Sequence, residues 1–228
     1  LHLSILIETM RREGYELAIS RPEVILHETE EGLEEPYEQL VVDLESAYQG
    51  AIMERLGERR GELRNMQLDG KGRVRLDYLI PARGLIGFQS EFRTLTAGTG
   101  LMFHVFDHYG PWVPGDISRR SNGVLISNGT GKALAYALFN LQERGRMIID
   151  PGVEVYEGQI VGIHSRANDL TVNPLKGKQL TNIRTVLKDE ALLLTSPVKM
   201  SLEQALEFIE DDELFVVTPN AFLFRKIL

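Results

Sequence analysis

The chain contains no cysteine. That removes disulfides, thiolate nucleophiles and every cysteine-ligated zinc or iron–sulfur site, and it is compatible with a cytoplasmic setting. Long apolar runs are missing too. No stretch approaches the roughly 20 residues of a membrane span, and residues 1–7, although apolar-rich, are interrupted by Glu8 and do not make a secretory leader. Positive charge is in deficit, 25 Lys and Arg against 33 Asp and Glu, so the molecule as a whole, at net −8, does not attract polyanions. A phosphate-binding loop is also lacking. In "LISNGTGKALAYALF" the G-x-x-x-x-G-K-[ST] spacing puts Ile126 where glycine is required and Ala133 where a hydroxyl must reach magnesium.

Other chemistry is equally short of residues. The acids of "FIEDDELF" (208–215) lack the central glycine and terminal glutamate of a calcium loop and read as a solvated helix end. His104 and His108 stand four apart in a strand-like stretch, too far apart to share a metal. His164 beside Ser165, Arg166 and Asp169 has no nucleophile elbow, so a hydrogen-bonded structural histidine is expected. No catalytic constellation, resident cofactor or metal site is legible.

What is present is a chain of 228 residues, 43% of them hydrophobic, enough for two modest domains with real cores. Residues 1–28 open with a helical run ("LHLSILIETMRREG") and a short alternating strand ("YELAIS"), and read as the end of a truncated preceding domain. Residues 29–35 read as an acidic linker. From 36 to 110 the order is β-α-β-β-α-β: "YEQLVVDLE", "SAYQGAIMERLGE", "GELRNMQLD", "RVRLDYLIP", "LIGFQSEFRTLTAG", "TGLMFHVFDHYG". This predicts a ferredoxin-like split βαβ fold, hence an α+β class with one sheet face left bare. Residues 111–228 form a mixed, β-rich second domain. Its expected parts are a helix over "KALAYALFNLQERG" with Lys132 in the first turn, a strand in "ALLLTSP", and a helix from Ser201 closed by a Ser201–Gln204 capping box.

Charge is unevenly spread. Residues 23–38 carry seven glutamates and no Lys or Arg, whereas 55–93 carry nine basic residues against five acids and 164–188 five against one. Arg59 and Arg60 end a helix, Lys71 sits in a turn, and Arg73 and Arg75 share one sheet face, a basic strip for a phosphate backbone unless neighbouring acids pair with it. The polar run "HSRANDLTVNPLKGKQLTNIRTVLKDE" carries Lys176, Lys178, Arg184 and Lys188 on Asn-, Thr- and Gly-rich chain, suited to a crevice in folded RNA.

At these residues a resemblance enters. "GERRGEL" and "GKGRVRLDYLIPARGLIGFQSEFRTLTAGTG" resemble the fifth domain of elongation-factor-G-type translational GTPases. "IPARGLIGFQSEF", "NGVLISNGTGKALAYALFNLQERG", "EVYEGQIVGIHSRANDLTVN" and "EQALEFIEDDEL" resemble the BipA/TypA family of ribosome-associated GTPases over the whole chain. The resemblance implies that the G domain, with its GTP and Mg²⁺, lies outside this chain, which is itself no enzyme. It implies a monomeric, cytoplasmic, ribosome-bound reader of the 50S subunit and 70S ribosome, contacting 23S rRNA and the A-site tRNA region, with roles in 50S assembly and in growth under cold or other stress. It places Lys176, Lys178 and Arg184 foremost among the RNA contacts, in a loop directed to the peptidyl-transferase centre, with His164, Ser165, Arg166 and Asn168 bordering or supporting it. "RTVLKDEALLL" departs from the family's small, flexible loop residues. An alternative reading uses the bare sheet face of residues 37–107 to dock protein.

Overall fold

The computed structural model describes residues 2–30, 32–115, 117, 120–177 and 193–227. The chain forms two compact units: Leu1–Arg21 together with Arg120–Leu228, and the intervening Pro22–Arg119. Its first elements are helix α1 (His2–Arg12) and strand β1 (Leu17–Ile19).

The intervening unit contains β2 (His27–Thr29), β3 (Gly32–Glu45), α2 (Gln49–Glu58), β4 (Glu62–Leu68), β5 (Arg73–Pro81), α3 (Ala82–Leu85), α4 (Phe88–Leu95) and β6 (Leu101–Pro111). β3 lies between β5 and β6, and β4 flanks β5, giving the antiparallel order β6-β3-β5-β4 of a ferredoxin-like sheet. Strand alternation sends Leu40, Val42 and Leu44 of β3 and Val74, Leu76, Tyr78 and Ile80 of β5 to one face. There they bury against Ile52 and Leu56 of α2 and Phe88 and Phe92 of α4. Sequence periodicity predicts one helix after β5. Gly87 splits it by taking φ 72°, a left-handed conformation open to glycine at no steric cost. The expected acidic linker is largely strand instead: β2 and β3 pair as a hairpin, and Glu35 is fully buried against Arg83 at 2.5 Å.

The other unit continues with β7 (Val124–Ser127), β8 (Gly131–Lys132), α5 (Ala135–Leu141), β9 (Gly145–Met147), β10 (Glu154–Val155), β11 (Gln159–His164), β12 (Leu170–Val172), α6 (Leu202–Phe208), β13 (Glu213–Val217) and β14 (Phe222–Lys226). A seven-stranded sheet runs β1-β13-β14-β11-β7-β12, with β9 also on β11. Only β7 and β12 pair in parallel among the described residues. Residues 1–21 therefore complete this body: Leu17 pairs with Val217 and Ile19 with Phe215, and Ile7 packs in a core with Leu202, Phe215 and Val217. A second core gathers Leu125, Leu138, Leu141, Val155 and Val161.

Two local expectations change. Lys132 lies in β8, paired with β10, and the helix starts only at Ala135, because Leu134 has extended backbone and its N–H is taken by the Pro174 carbonyl. The described part of "ALLLTSP", residues 193–197, has no regular secondary structure.

Candidate nucleic-acid interface

The basic residues of the 22–119 unit are largely engaged within the protein. Arg59 is mostly buried. It donates to the Gly84 and Ile86 carbonyls, pairs with Glu91 at 3.0 Å and lies over the Phe88 ring, tying the end of α2 to the α3–α4 turn. Arg60 has left-handed backbone at φ 61°, which costs a non-glycine residue roughly 1–2 kcal/mol, and its guanidinium donates to the Val113 and Pro114 carbonyls. Arg73 and Arg75 do share the sheet face away from the helices. Asp43 takes Arg73 at 2.5 Å and Asp77 takes Arg75 at 3.1 Å. Lys71 projects from the β4–β5 turn. Backbone N–H groups of Arg73 and Lys71 donate to Asp69 there and hold its carboxyl below the usual range.

The body containing residues 120–228 differs. Arg144, Arg146, Arg166 and Lys176 are exposed, and among the described residues none of them has a carboxylate partner. His164 is buried. Its Nδ1 lies 2.5 Å from the Asn168 carbonyl, its backbone N–H donates to Gly123, and its own carbonyl accepts from Asn122. It shapes the 164–168 turn that carries Arg166. Lys176 stands where Asn173 caps the Leu175 N–H and Leu175 packs on the second core, so the root of the basic loop is anchored. Lys178, Arg184 and Lys188 lie outside the described residues.

Arg166 and Lys176 do not adjoin. β12 runs between them, so they sit beyond opposite ends of a strand pair, separated by at least about 10 Å of strand. Sequence reasoning missed Arg144, which the expected helix over 132–145 includes, and Arg146, which lies just beyond it. The available signal was Gly145 between them, since a glycine after a helical run marks the helix end.

The expectation of a solvated helix end at "FIEDDELF" holds for Asp211 and Asp212, which are exposed, but not for Glu210 and Glu213. Glu213 is fully buried and takes both terminal nitrogens of Arg120 at 2.8 and 3.1 Å. Glu210 takes Arg21 at 2.9 Å and the Arg120 backbone N–H. Lys226 reaches Asp169 at 2.5 Å, Asp212 at 2.9 Å and Glu213 at 3.5 Å. Burial pushes the Asp169 carboxyl up, but the Lys226 ammonium and the Val124 N–H outweigh it and leave it below the usual range. The same contacts raise Lys226 against its own desolvation. Thus Arg21 and Arg120, where the chain leaves and re-enters this body, are both held by residues 210–213.

Residues 32–120 match the elongation factor G C-terminus, and residues 122–228 match the TypA/BipA C-terminal domain. Proteins named large ribosomal subunit assembly factor BipA are 62% identical over 99% of the chain in Salmonella typhimurium, 63% over 100% in Haemophilus influenzae and 54% over 99% in Buchnera aphidicola. The chain spans 37% of the length of each of these curated relatives. A crystal structure from Thermus thermophilus overlaps 34% of this chain and 12% of its own at 26% identity, with a TM-score of 0.32, too slight a likeness to bear on the fold. With both of its units matched in order and near-complete coverage by relatives above 60% identity, the chain belongs to the TypA/BipA family.

Proposed function

We propose that this chain is the ribosome-reading part of a translational GTPase that serves large-subunit assembly, touching 23S rRNA and the A-site tRNA region as a cytoplasmic monomer. One observation carries the reading. Exposed arginines and lysines with no acid partner among the described residues are found in the 120–228 region, while most arginines of the 22–119 unit are held by acids or carbonyls. These cations, on a chain of net −8, meet no acid among the described residues, and RNA phosphates are the counter-charge that suits them. The name shared by the relatives points the same way.

GTP and Mg²⁺ belong to a G domain outside this chain. The residues here do not fit them: Lys132 lies in a two-residue strand, 4.0 Å from Glu154, and no hydroxyl follows it. The chain's part in turnover is to dock and orient that domain, and its support of growth in the cold or under other stress follows from ribosome binding. Lys176, together with Lys178, Arg184 and Lys188, is the leading contact set. Arg166 is a second contact positioned by His164, and Lys71 is peripheral. A second reading has its own observation: Leu101, Phe103 and Val105 of β6 are each more than half exposed on the sheet face opposite α2 and α4, as a protein-docking surface requires.

Co-sedimentation with purified 50S subunits and 70S ribosomes across a salt series, with a K176A/K178A/R184A variant alongside, separates the two. Salt-sensitive binding weakened in the variant supports RNA reading. Binding indifferent to salt and variant supports protein docking.

A further inference from the structure

We infer that Arg144, Arg146 and Arg166 form a distinct phosphate-binding cluster for structured RNA, at the end of the sheet away from the Lys176 loop. The inference rests on the ribosome-reading proposal and specifies a second contact point within it.

Backbone pairing brings the three together from segments about 20 residues apart. Arg146 pairs with Ile163 and Gly145 with His164. The next step of the ladder is the hydrogen bond from the Ser165 N–H to the Arg144 carbonyl, at 2.9 Å. Arg146 lies in β9 and Arg144 in the turn that leads into it, both exposed, while the alternating neighbour of Arg146, Met147, is buried. Arg166 follows Ser165 directly, and its carbonyl is fixed by the Gly123 N–H. The close approach is built in. A Cβ on Gly145 would lie 2.0 Å from the Ile163 carbonyl oxygen, so only glycine lets β9 pair here and bring Arg144 beside the Arg166 turn.

The chemistry favours RNA over an acidic protein surface. All three are arginines, whose forked guanidinium groups donate to phosphate oxygens in pairs. Exposed Ser165 and Asn168 lie beside them, supplying short polar groups for 2′-hydroxyls. Among the nearby acids Asp169 is held by Lys226 and Asp150 by Lys199 at 3.5 Å, while Glu143, exposed and next to Arg144 in sequence, pairs with none of the three arginines.

The test measures binding of the whole 228-residue chain to a short fluorescein-labelled RNA stem-loop. An R144Q/R146Q/R166Q variant, an R144K/R146K/R166K variant and K176Q run alongside, with circular dichroism as the folding control. Each neutralised phosphate adds a slope of about 0.7 to 0.9 in log K against log salt. Raising salt from about 50 to 200 mM therefore weakens three such contacts about 20- to 40-fold. The glutamine variant is expected to bind more weakly at the lower salt and to lose about 20- to 40-fold less affinity over the range. The lysine variant keeps the native slope, and K176Q changes it by about one contact at most. A native slope in the glutamine variant, or no stem-loop binding by the unaltered chain, overturns the inference.

Sedimentation with 50S subunits keeps the two proposals separate. If the glutamine variant pellets as well as the unaltered chain, the cluster is wrong and the ribosome reading stands. If the chain binds the stem-loop through the cluster but never pellets with 50S, the cluster stands and the ribosome reading falls. A glutamine variant that loses 50S yet keeps the stem-loop assigns the cluster to an acidic protein surface and overturns the RNA assignment.

Discussion

Replacing Arg120 by leucine should be the most damaging single change to the body formed by residues 1–21 and 120–228. Its guanidinium satisfies Glu213, donates to the Phe208 and Asn122 carbonyls and lies 4.3 Å from the centre of the Phe208 ring. Glu213 has no exposed surface, so without Arg120 its charge keeps only the Glu210 N–H at 3.1 Å and Lys226 at 3.5 Å, and Lys226 is shared with Asp169 and Asp212. Removing one member of a buried pair costs about 3–5 kcal/mol because the other is stranded, not because the pair itself was worth that much. For a body of this size the melting temperature should fall by roughly 10 °C. The assay can resolve the two units. Trp112 is the only tryptophan and lies in the 22–119 unit, so its fluorescence reports that unit, while the far-ultraviolet dichroism includes the other. In R120L the dichroism transition should drop and the Trp112 transition should hold. Adding E213L should recover much of the loss, since two apolar groups leave no buried charge. A loss below about 1 kcal/mol in R120L, or an R120L/E213L variant no more stable than R120L, would refute the reasoning.

Four further outcomes are expected. Ser201→Ala should destabilise α6 by about 1 kcal/mol in urea denaturation, because Ser201 Oγ accepts the Gln204 N–H at 3.3 Å while Gln204 Oε1 accepts the Ser201 N–H at 2.9 Å. The stability that Asp169 contributes should be present at neutral pH and lost as pH falls through its depressed folded value. The gap between the unaltered chain and D169N, followed by denaturation, should therefore be constant near neutrality and close below about pH 4. Lys226 has the opposite sense: its contribution is full at neutral pH and fades only in strong alkali, so Lys226→Met should cost stability across the neutral range. Gly145→Ala should disrupt the pairing of β9 with β11 and lower the melting temperature of the 1–21/120–228 body, whereas Gly152→Ala, with nothing within 4 Å of an added Cβ but a φ of 85°, should cost only its modest backbone strain.

Much of this protein is local enough to read from residue order. Alternation in "YEQLVVDLE" and "RVRLDYLIP" sets which side chains of β3 and β5 face the helices, and the β-α-β-β-α-β sequence admits few sheet topologies, so the ferredoxin-like unit follows. The capping box at Ser201 is a three-residue signal and needs no tertiary context. The tertiary structure alone decided whatever depends on partners far along the chain. Leu17 finds Val217 across 200 positions, so the opening residues joined the last domain's sheet, although by themselves they lacked a core. Arg73 and Arg75 form the expected basic strip, but cross-strand and same-strand acids neutralise it. The run of acids at 210–213 resembles a solvated surface until Arg21, Arg120 and Lys226 arrive from three distant segments. Pairing of β9 with β11 sets Arg144 and Arg146 beside Arg166. Charge is legible in a sequence, but whether a charge is spent inside the fold or left for a partner depends on long-range neighbours, and only the folded chain supplies them.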